Sequence, residues 1–141
     1  MAKQTGLGDY LAVDDSGGSL RDISNDITGG YGVNMTQALI DVTGLDKSAI
    51  ERLTGTSDGD VTLTGTFNAA SNKSHDVFKV RTGTRTFDLR VGGNTSTNPS
   101  CTMEMVVANY NLSRDASTGA MVWSVTLNLA NGTVPAWGVV A

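Results

Sequence analysis

The chain has 141 residues, of which 39% are hydrophobic and 17% charged, with a formal net charge of −4 at pH 7. Its length predicts one domain over residues 1–141. Lys and Arg form no cluster, which argues against binding to nucleic-acid phosphates. Cys101 is the only cysteine, so no disulfide can form within the chain. No apolar run resembles a signal peptide or approaches the roughly 18 residues of a membrane span, so we expect a reducing cytoplasm and no membrane.

The first third of the chain predicts short elements separated by turns rich in Gly and Asp. Leu20, Ile23 and Ile27 are spaced as in either a strand or a single helical turn. Asp46 could cap a short helix that carries Ala49, Ile50 and Leu53 on one side and stops at Gly55. The predicted elements are strands at residues 9–13 and 33–43, a strand or turn at 20–27, and this helix at 46–53.

The middle of the chain predicts two alternating strands with a helix between them. Residues 60–68 alternate Val61, Leu63 and Phe67 with threonines, and Gly65 is a plausible site for a bulge that would swap the faces beyond it. The helix is predicted at residues 72–81, capped by Ser71 or Asn72 and ending before Gly83. The second strand is predicted at residues 84–91, with Arg85, Phe87, Leu89 and Val91 on one side.

Two long alternating strands, residues 101–112 and 120–130, are the strongest pattern in the chain. In the second strand, successive side chains alternate between apolar and small polar types, so they point to opposite faces of a sheet. The apolar face carries Trp123, Val125, Leu127 and Leu129, and the other carries Ser124, Thr126 and Asn128. A sheet with one oily face and one face of hydroxyls suits a wet wall or a broad surface.

Motifs for catalysis, metal binding or cofactor binding are absent from the sequence. His75 is the only histidine and lies in the polar first turn of the predicted helix, where a surface or interface position is expected. Residues 58–60 begin like a calcium loop, but Leu63 and Ala69 replace the Gly and the closing Glu that such a loop needs. No glycine pattern fits a nucleotide fingerprint. We therefore predict no catalytic residues, no metal, no cofactor and no enzymatic activity.

Three segments in order carry a family resemblance: residues 41–55 running into 59–68; residues 74–78 leading to Gly83 and the strand at 84–91; and residues 103–110, a turn, and 121–129, closed by Asn131-Gly132. Together they resemble the major tail (tail tube) proteins of long-tailed bacteriophages, especially those that infect actinobacteria. The resemblance covers roughly residues 5–133, and the order of the segments is more specific than any one of them.

The resemblance implies a mainly-β fold, a two-sheet β-sandwich or half-barrel with one flanking α-helix. It implies six copies in a ring whose inner strands join into one barrel, and stacked rings that form a hollow tail tube for genome delivery. The implied partners are further copies of the chain, the tape measure protein, other tail proteins and passing double-stranded DNA that is not bound specifically. The implied location is the virion tail, after assembly in the host bacterial cytoplasm.

Two sets of residues follow for such a tube. Polar residues on the strands would line the lumen, because their apolar neighbours must share the dry side with Val77 and Phe78 of the helix. Segments 5–13 and 44–58 would contact neighbouring copies, since neither has enough apolar residues to be stable alone. The lumen candidates are Thr62, Thr64, Thr66, Thr102, Glu104, Ser124, Thr126 and Asn128, with Thr84, Thr86 and Asp88 as additions; the inter-subunit candidates are Leu7, Tyr10, Leu45, Ile50 and Leu53.

Two alternatives to the tail tube remain open from the residues. One is another virion structural β domain, such as a capsid decoration protein or a tail terminator. The other is a monomeric, lectin-like binding module, which should expose an aromatic-lined groove. Aromatic residues here fall mostly on the apolar faces of the predicted strands, which argues mildly against the lectin-like module.

Overall fold

A computed structural model describes residue 5 and residues 7–141. It confirms the predicted mainly-β fold with one flanking α-helix. The strands are β1 (Tyr10–Asp14), β2 (Leu20–Asp22), β3 (Gly30–Asp41), β4 (Arg52–Thr66), β5 (Thr84–Arg90), β6 (Pro99–Arg114), β7 (Met121–Leu129) and β8 (Trp137–Val139). A 3-10 turn covers Ser24–Asp26 and the helix α1 covers Ser74–Phe78. Residues 20–27, predicted as a strand or a turn, form both.

All these strands belong to one continuous sheet in the order β2-β1-β5-β6-β7-β4-β3, with β8 paired to the beginning of β6. Every neighbouring pair is antiparallel. The long strand β6 pairs with β5 through its first half and with β7 through its second. It therefore carries the sheet from one half of the molecule into the other.

The sheet is strongly curled. In a flat sheet β1 and β3 would be five strand spacings apart, about 24 Å. Instead, the Tyr31 hydroxyl at the beginning of β3 donates a hydrogen bond to the carboxylate of Asp9, which directly precedes β1. The predicted sandwich or half-barrel therefore consists of two facing halves of one hydrogen-bonded sheet.

The curl encloses one hydrophobic core on the inner face of the sheet. Trp123, Val125 and Leu127 of β7 lie there, as the alternation predicts. Burial of each large apolar side chain contributes about 1.5–3 kcal/mol, so this face sets the inward direction of every strand. The buried cluster comprises Leu11, Val13, Ile23, Val61, Leu63, Val77, Phe78, Phe87, Leu89, Cys101, Met103, Met105, Val107, Trp123, Val125 and Leu127.

The helix α1 is shorter than the predicted residues 72–81. Asn72 has a left-handed φ of 65°, so the helix cannot extend back through it. The residue that precedes the helix is Lys73, which makes no capping side-chain bond. The buried carboxylate of Asp26 takes that role from a distance, since it accepts hydrogen bonds from Ser74 N (2.9 Å) and Asn68 Nδ2 (2.9 Å).

The helix predicted at residues 46–53 is wrong. That segment forms the turn that joins β3 to β4, and β4 already begins at Arg52. Val42 N donates to Glu51 O (3.0 Å), and Glu51 N donates to the Thr43 hydroxyl (2.9 Å). These bonds continue the hairpin ladder and leave no room for helical bonding. An eight-residue helix with no core to pack against would also be marginal.

Gly65 does not introduce the bulge that the sequence suggested. The pairing of β4 with β7 runs without a shift from Asp60 to Thr66. The bulges lie elsewhere, in β4 where Gly55 and Thr56 lie opposite Ala38, and in β6 at Val107/Asn109. Gly65 instead admits the backbone of the 3-10 turn, because a Cβ there would lie 1.7 Å from Asp26 O.

Arg85 lies on the core face of β5 and is almost completely buried. Its guanidinium donates to the carbonyl oxygens of Val77 (2.7 Å), Asp14 (3.1 Å), Val80 and Thr82 (3.2 Å). Burial lowers the pKa of this guanidinium from its usual value, although the nearby Asp15 and Asp14 oppose the effect. Arg85 thus ties the end of α1 to the end of β1.

Replacing Arg85 with Met should lower the free energy of unfolding by about 2–4 kcal/mol, because four carbonyl oxygens, including the buried one of Val77, lose the hydrogen bonds that the guanidinium donates. Urea denaturation followed by circular dichroism measures the change. Arg85→Lys should recover only part of the loss, since an ammonium cannot reach all these carbonyls from one position. A loss below about 0.5 kcal/mol for Arg85→Met would contradict this role.

Gly65→Ala should destabilise the fold by at least about 2 kcal/mol, since the new methyl group would collide with backbone rather than with a flexible side chain. Gly59→Ala in the same strand is the matched control, because its Cβ would meet its nearest atoms at an ordinary 3.6 Å. Thermal unfolding of both variants makes the comparison. Equal midpoints would show that the Asp26 turn can move away from β4 without cost.

Candidate functional site

The lumen candidates lie together on the outer face of the sheet. Residues directly opposite each other in an antiparallel pair point to the same side. Thr62 lies opposite Thr126 and Thr64 opposite Ser124. Asn128 lies opposite Val106, which places the alternate residues of β6 on this side too. We call this surface the polar face: Thr62, Thr64, Thr66, Thr102, Glu104, Ser124, Thr126 and Asn128.

The bulge in β6 extends the polar face beyond the predicted set. After the shift at Val107/Asn109, Asn109 lies opposite Thr126 and Asn111 opposite Ser124. Without the extra residue, both amides would point into the core. Sequence reasoning missed them, and the consecutive apolar pair Val106-Val107 was the one signal that the alternation breaks there.

Hydrogen bonds between side chains hold parts of the polar face. The hydroxyls of Thr28 and Thr66 are 2.7 Å apart, and Asn34 Nδ2 donates to Asp60 Oδ1 at 2.9 Å. The Thr86 hydroxyl donates to Glu104 Oε1 at 2.6 Å. These groups lie at the surface with water as the competing partner, so each bond contributes about 1 kcal/mol or less.

The polar face has little charge and no basic centre. The rows that run through β4 residues 60–66 cross β3, β4, β7 and β6. Among the described residues in these rows, Asp60 is the one charged side chain on the polar face. Glu104 follows in the next row of β6. At the far end, Arg90 is paired with the buried Asp88 at 3.0 Å, so Asp88 is enclosed within its own chain.

Among the described residues, the group of four strands β6, β7, β4 and β3 has two edges that are open for pairing, while the short strand β2 is the edge at the other end of the sheet. The strand β3 is the last in the order and pairs only with β4. The second half of β6 is the other, because β5 pairs with Ser100–Val106 and leaves the far side of residues 109–114 free. Open edges present rows of unpaired N–H and C=O groups to another strand. The sequence could not reveal which strands are at the edges.

A two-stranded arm projects from the sheet. We define the arm as residues 39–54, where β3 and β4 pair with each other beyond the end of the pairing with β7 at Asp60. Three of the inter-subunit candidates lie on it, Leu45, Ile50 and Leu53, and all are exposed, Leu45 completely. Leu39, Ile40 and Val42 on the arm are also exposed. The arm is thus unusually apolar for a surface element.

The other two inter-subunit candidates, Leu7 and Tyr10, differ in how exposed they are. Leu7 is 85% exposed, whereas Tyr10 is half-buried and stacks against the guanidinium of Arg90 at 5.1 Å. Burial raises the pKa of Tyr10, and the nearby Asp22 adds to the effect. Tyr10 therefore already packs within its own chain. Gly6, inside the predicted contact segment 5–13, lies outside the described residues.

A cavity of about 340 Å³ opens beside Leu7 at the beginning of β3. Its walls include Leu7, Leu11, Ile27 and Tyr31. Burial, followed by the hydrogen bond to Asp9, raises the pKa of the Tyr31 phenol, so the phenol stays protonated and donates to Asp9. The cavity is lined mainly by apolar side chains and lacks a histidine or a cysteine.

Residues with catalytic potential are engaged in packing. His75, expected at a surface or interface position, is half-buried, and its Nδ1 lies 3.1 Å from the Tyr110 hydroxyl beside the ring of Phe67. Burial raises the pKa of Cys101 to about 11, which makes its thiol a poor nucleophile. The described residues contain no group of three or more His, Cys, Asp or Glu arranged to hold a metal. None of their helices is long and apolar enough to cross a membrane.

The fold matches chains of tail-like particles over its full length. A chain in the tail of an empty gene transfer agent particle, refined with C6 symmetry, matches with a TM-score of 0.74 and 15% identity, covering 99% of this chain and 100% of that chain. A chain in the virion of a native gene transfer agent particle matches with a TM-score of 0.71 and 14% identity, covering 99% and 100%.

A chain in the six-fold symmetrised baseplate of the anti-feeding prophage matches with a TM-score of 0.68 and 12% identity, covering 99% of this chain and 98% of that chain. No protein-family model and no curated protein matches the sequence. This chain therefore shares the fold found in these tail and virion particles. The matches do not point to phages of actinobacteria in particular, and that part of the sequence prediction stays a prediction.

Lysine substitutions distinguish the two faces of the sheet. Thr64→Lys and Thr126→Lys should change the free energy of unfolding by less than about 1 kcal/mol, because long side chains on the polar face extend into water. Leu63→Lys and Val125→Lys, one position away on the core face, should lose more than about 3 kcal/mol. Urea denaturation of the four variants tests this, and a reversed order would mean that the faces are inverted.

Proposed function

We propose that this protein is a structural subunit of a phage-type virion tail, and that rings of six copies stack into the hollow tail tube through which DNA is delivered. The observation that carries the proposal is the full-length match to a chain from a six-fold symmetric tail. In this proposal the protein resides in the virion tail, is assembled in the host cytoplasm and has no catalytic role. Its partners are further copies, the tape measure protein and other tail proteins.

The strand order supports ring closure. The four strands β6, β7, β4 and β3 lie side by side, and β6 is antiparallel to β3 because three antiparallel steps separate them. Rotation about a ring axis brings β3 of one copy beside the open half of β6 in the next, again antiparallel. Barrels of about 16–18 strands already enclose a water-filled channel. Six four-stranded contributions would enclose a wider one and remove both open edges.

The polar face suits the channel side of such a ring. The opposite face of the sheet is already covered by α1 and by the other half of the curled sheet, so only the polar face can line an opening. Hydroxyls and amides bind water. The rows of the polar face that run through β4 residues 60–66 contain no Lys or Arg among the described residues, so they would not bind DNA phosphates. A basic channel would retain DNA through counterion release.

Negative-stain electron microscopy of the purified protein, concentrated in low salt, should show tubes or stacked rings with six-fold end views. Rings that never stack would favour a tail terminator. Strictly monomeric particles at every concentration, together with binding to a glycan array, would favour the lectin-like module. Either result would contradict the tail-tube assignment.

The proposed ring contact can be trapped by a disulfide between Asn34→Cys on β3 and Asn111→Cys on β6. Within one chain these positions are three strand spacings apart across the sheet, so their Cα atoms are at least about 14 Å apart, whereas a disulfide needs Cα atoms within about 7 Å. Oxidised rings should therefore give a covalent ladder up to six copies on a non-reducing denaturing gel. Each single variant is the control, since Cys101 is buried. Assembled rings that yield no ladder would contradict this edge pairing.

Positive charge in the channel should slow DNA passage. Particles that carry Thr64→Lys and Thr126→Lys should assemble but eject DNA more slowly, and the difference should shrink as salt rises because counterion release weakens. Thr64→Gln with Thr126→Gln is the matched control, which adds bulk without charge. Equal ejection kinetics for the lysine and glutamine particles would argue that the polar face does not line the channel.

A further inference from the structure

The arm leaves an apolar surface that its own chain does not cover. Leu39, Ile40, Val42, Leu45, Ile50 and Leu53 are each between 44% and 108% exposed. From the area implied by the transfer free energy of an aliphatic side chain, they present on the order of 300–500 Å² of apolar surface in total. This surface is divided between the two faces of the arm, with Ile40 and Leu53 on one face and Leu39 on the other. So many exposed apolar side chains on one element favour an occupant outside its own subunit.

The cavity beside Leu7 is the complementary feature. A closed cavity of about 150 Å³ is large enough for benzene, so about 340 Å³ has room for two aliphatic side chains. Leu11, Ile27 and Tyr31 provide apolar walls, and the Tyr31 hydroxyl is already satisfied by Asp9. An apolar side chain can therefore enter without leaving this polar group unpaired.

The arm and the cavity lie at opposite ends of one strand. Gly30 and Tyr31, at the beginning of β3, line the cavity, and Asp41, at its end, enters the tip of the arm. The 12 residues of β3 span roughly 35 Å, so the arm cannot reach the cavity of its own chain. A translation of a second copy along the strand direction brings the two together.

We propose that the arm tip of one copy, with Leu45 and Ile50, inserts into the Leu7–Tyr31 cavity of a copy in the next ring. The proposal rests on the tail-tube function above and names the surface that receives each arm. This contact is head-to-tail and does not close on itself, so it generates an open stack. Its apolar area is below the roughly 800 Å² per partner of a stable pair. One arm is therefore weak, and stacking requires all the arms of a ring at once.

A charged residue at the arm tip should block stacking without affecting the fold. Leu45→Lys should raise the protein concentration needed for tubes at least about tenfold, the factor expected for losing one buried leucine per contact. Its thermal midpoint should equal that of the wild type, because Leu45 touches no core residue. Leu20→Lys, an exposed leucine outside the arm, is the matched control. Tube assembly of Leu45→Lys at the wild-type concentration would overturn the proposal.

A disulfide between Leu45→Cys and Thr28→Cys, at the cavity wall, identifies the receiving surface. Oxidised tubes should give covalent chains longer than six copies, since each link joins two rings. The pair Leu45→Cys with Leu20→Cys should give none. Tubes in which the Asn34→Cys/Asn111→Cys ladder forms but the Leu45→Cys/Thr28→Cys link does not would overturn this inference and leave the tail-tube function intact. Failure of the wild-type protein to form any tube would reject both.

Discussion

The burial of a single face of one curled sheet constrains every other feature of this molecule. Because the sheet bends until β1 and β3 approach each other, its inner face is dry, and most of its outer face from β6 to β3 is left to water. Side chains in strands alternate strictly, so each inward leucine or valine commits its neighbours to the outside. The hydroxyls and amides of the polar face alternate with the core residues along the same strands. A change of register that moved one set to the other side would therefore move both.

Polar groups close the ends of this curl where apolar contacts are few. The carboxylate of Asp26 serves the helix and Asn68, while its backbone packs against Gly65. Arg85 gathers carbonyl groups from α1, the following loop and β1. Such groups are expensive to bury unless every bond is made. They therefore fix one arrangement of helix and sheet rather than adding much net stability.

The sequence predicted features that depend on local alternation and missed those that depend on distant contacts. The strands β4, β5, β6 and β7 and the polar face follow from residues two apart, so the chain itself records them. The prediction of a helix at 46–53 was wrong because the segment closes a hairpin, in which Val42 N donates to Glu51 O. No local sequence pattern shows this pairing. Gly65 was read as a bulge for the same reason, since the approach of Asp26 comes from 39 positions away in the chain.

The open edges, the arm and the cavity could not be inferred from the sequence alone, because each depends on which parts of the chain have no neighbouring element packed or hydrogen-bonded against them. Exposed leucines on the arm look like core residues in a sequence, and only the strand order reveals that, among the described residues, β3 and β4 pair with no third strand there. Fold comparison adds what the sequence lacks, a full-length match at 15% identity.

The bulge at Val107/Asn109 in β6 has a consequence for how this chain can vary. One extra residue, Ala108, decides which way the whole second half of β6 faces, since it places Tyr110 and Leu112 on the inner side and Asn109 and Asn111 outside. Ala108 itself is small and exposed, so many replacements there would be silent. Its deletion would invert six residues at once. The position therefore tolerates substitution but not deletion or insertion. Related chains should keep one residue between the positions of Val107 and Asn109 even where none of the three amino acids is the same.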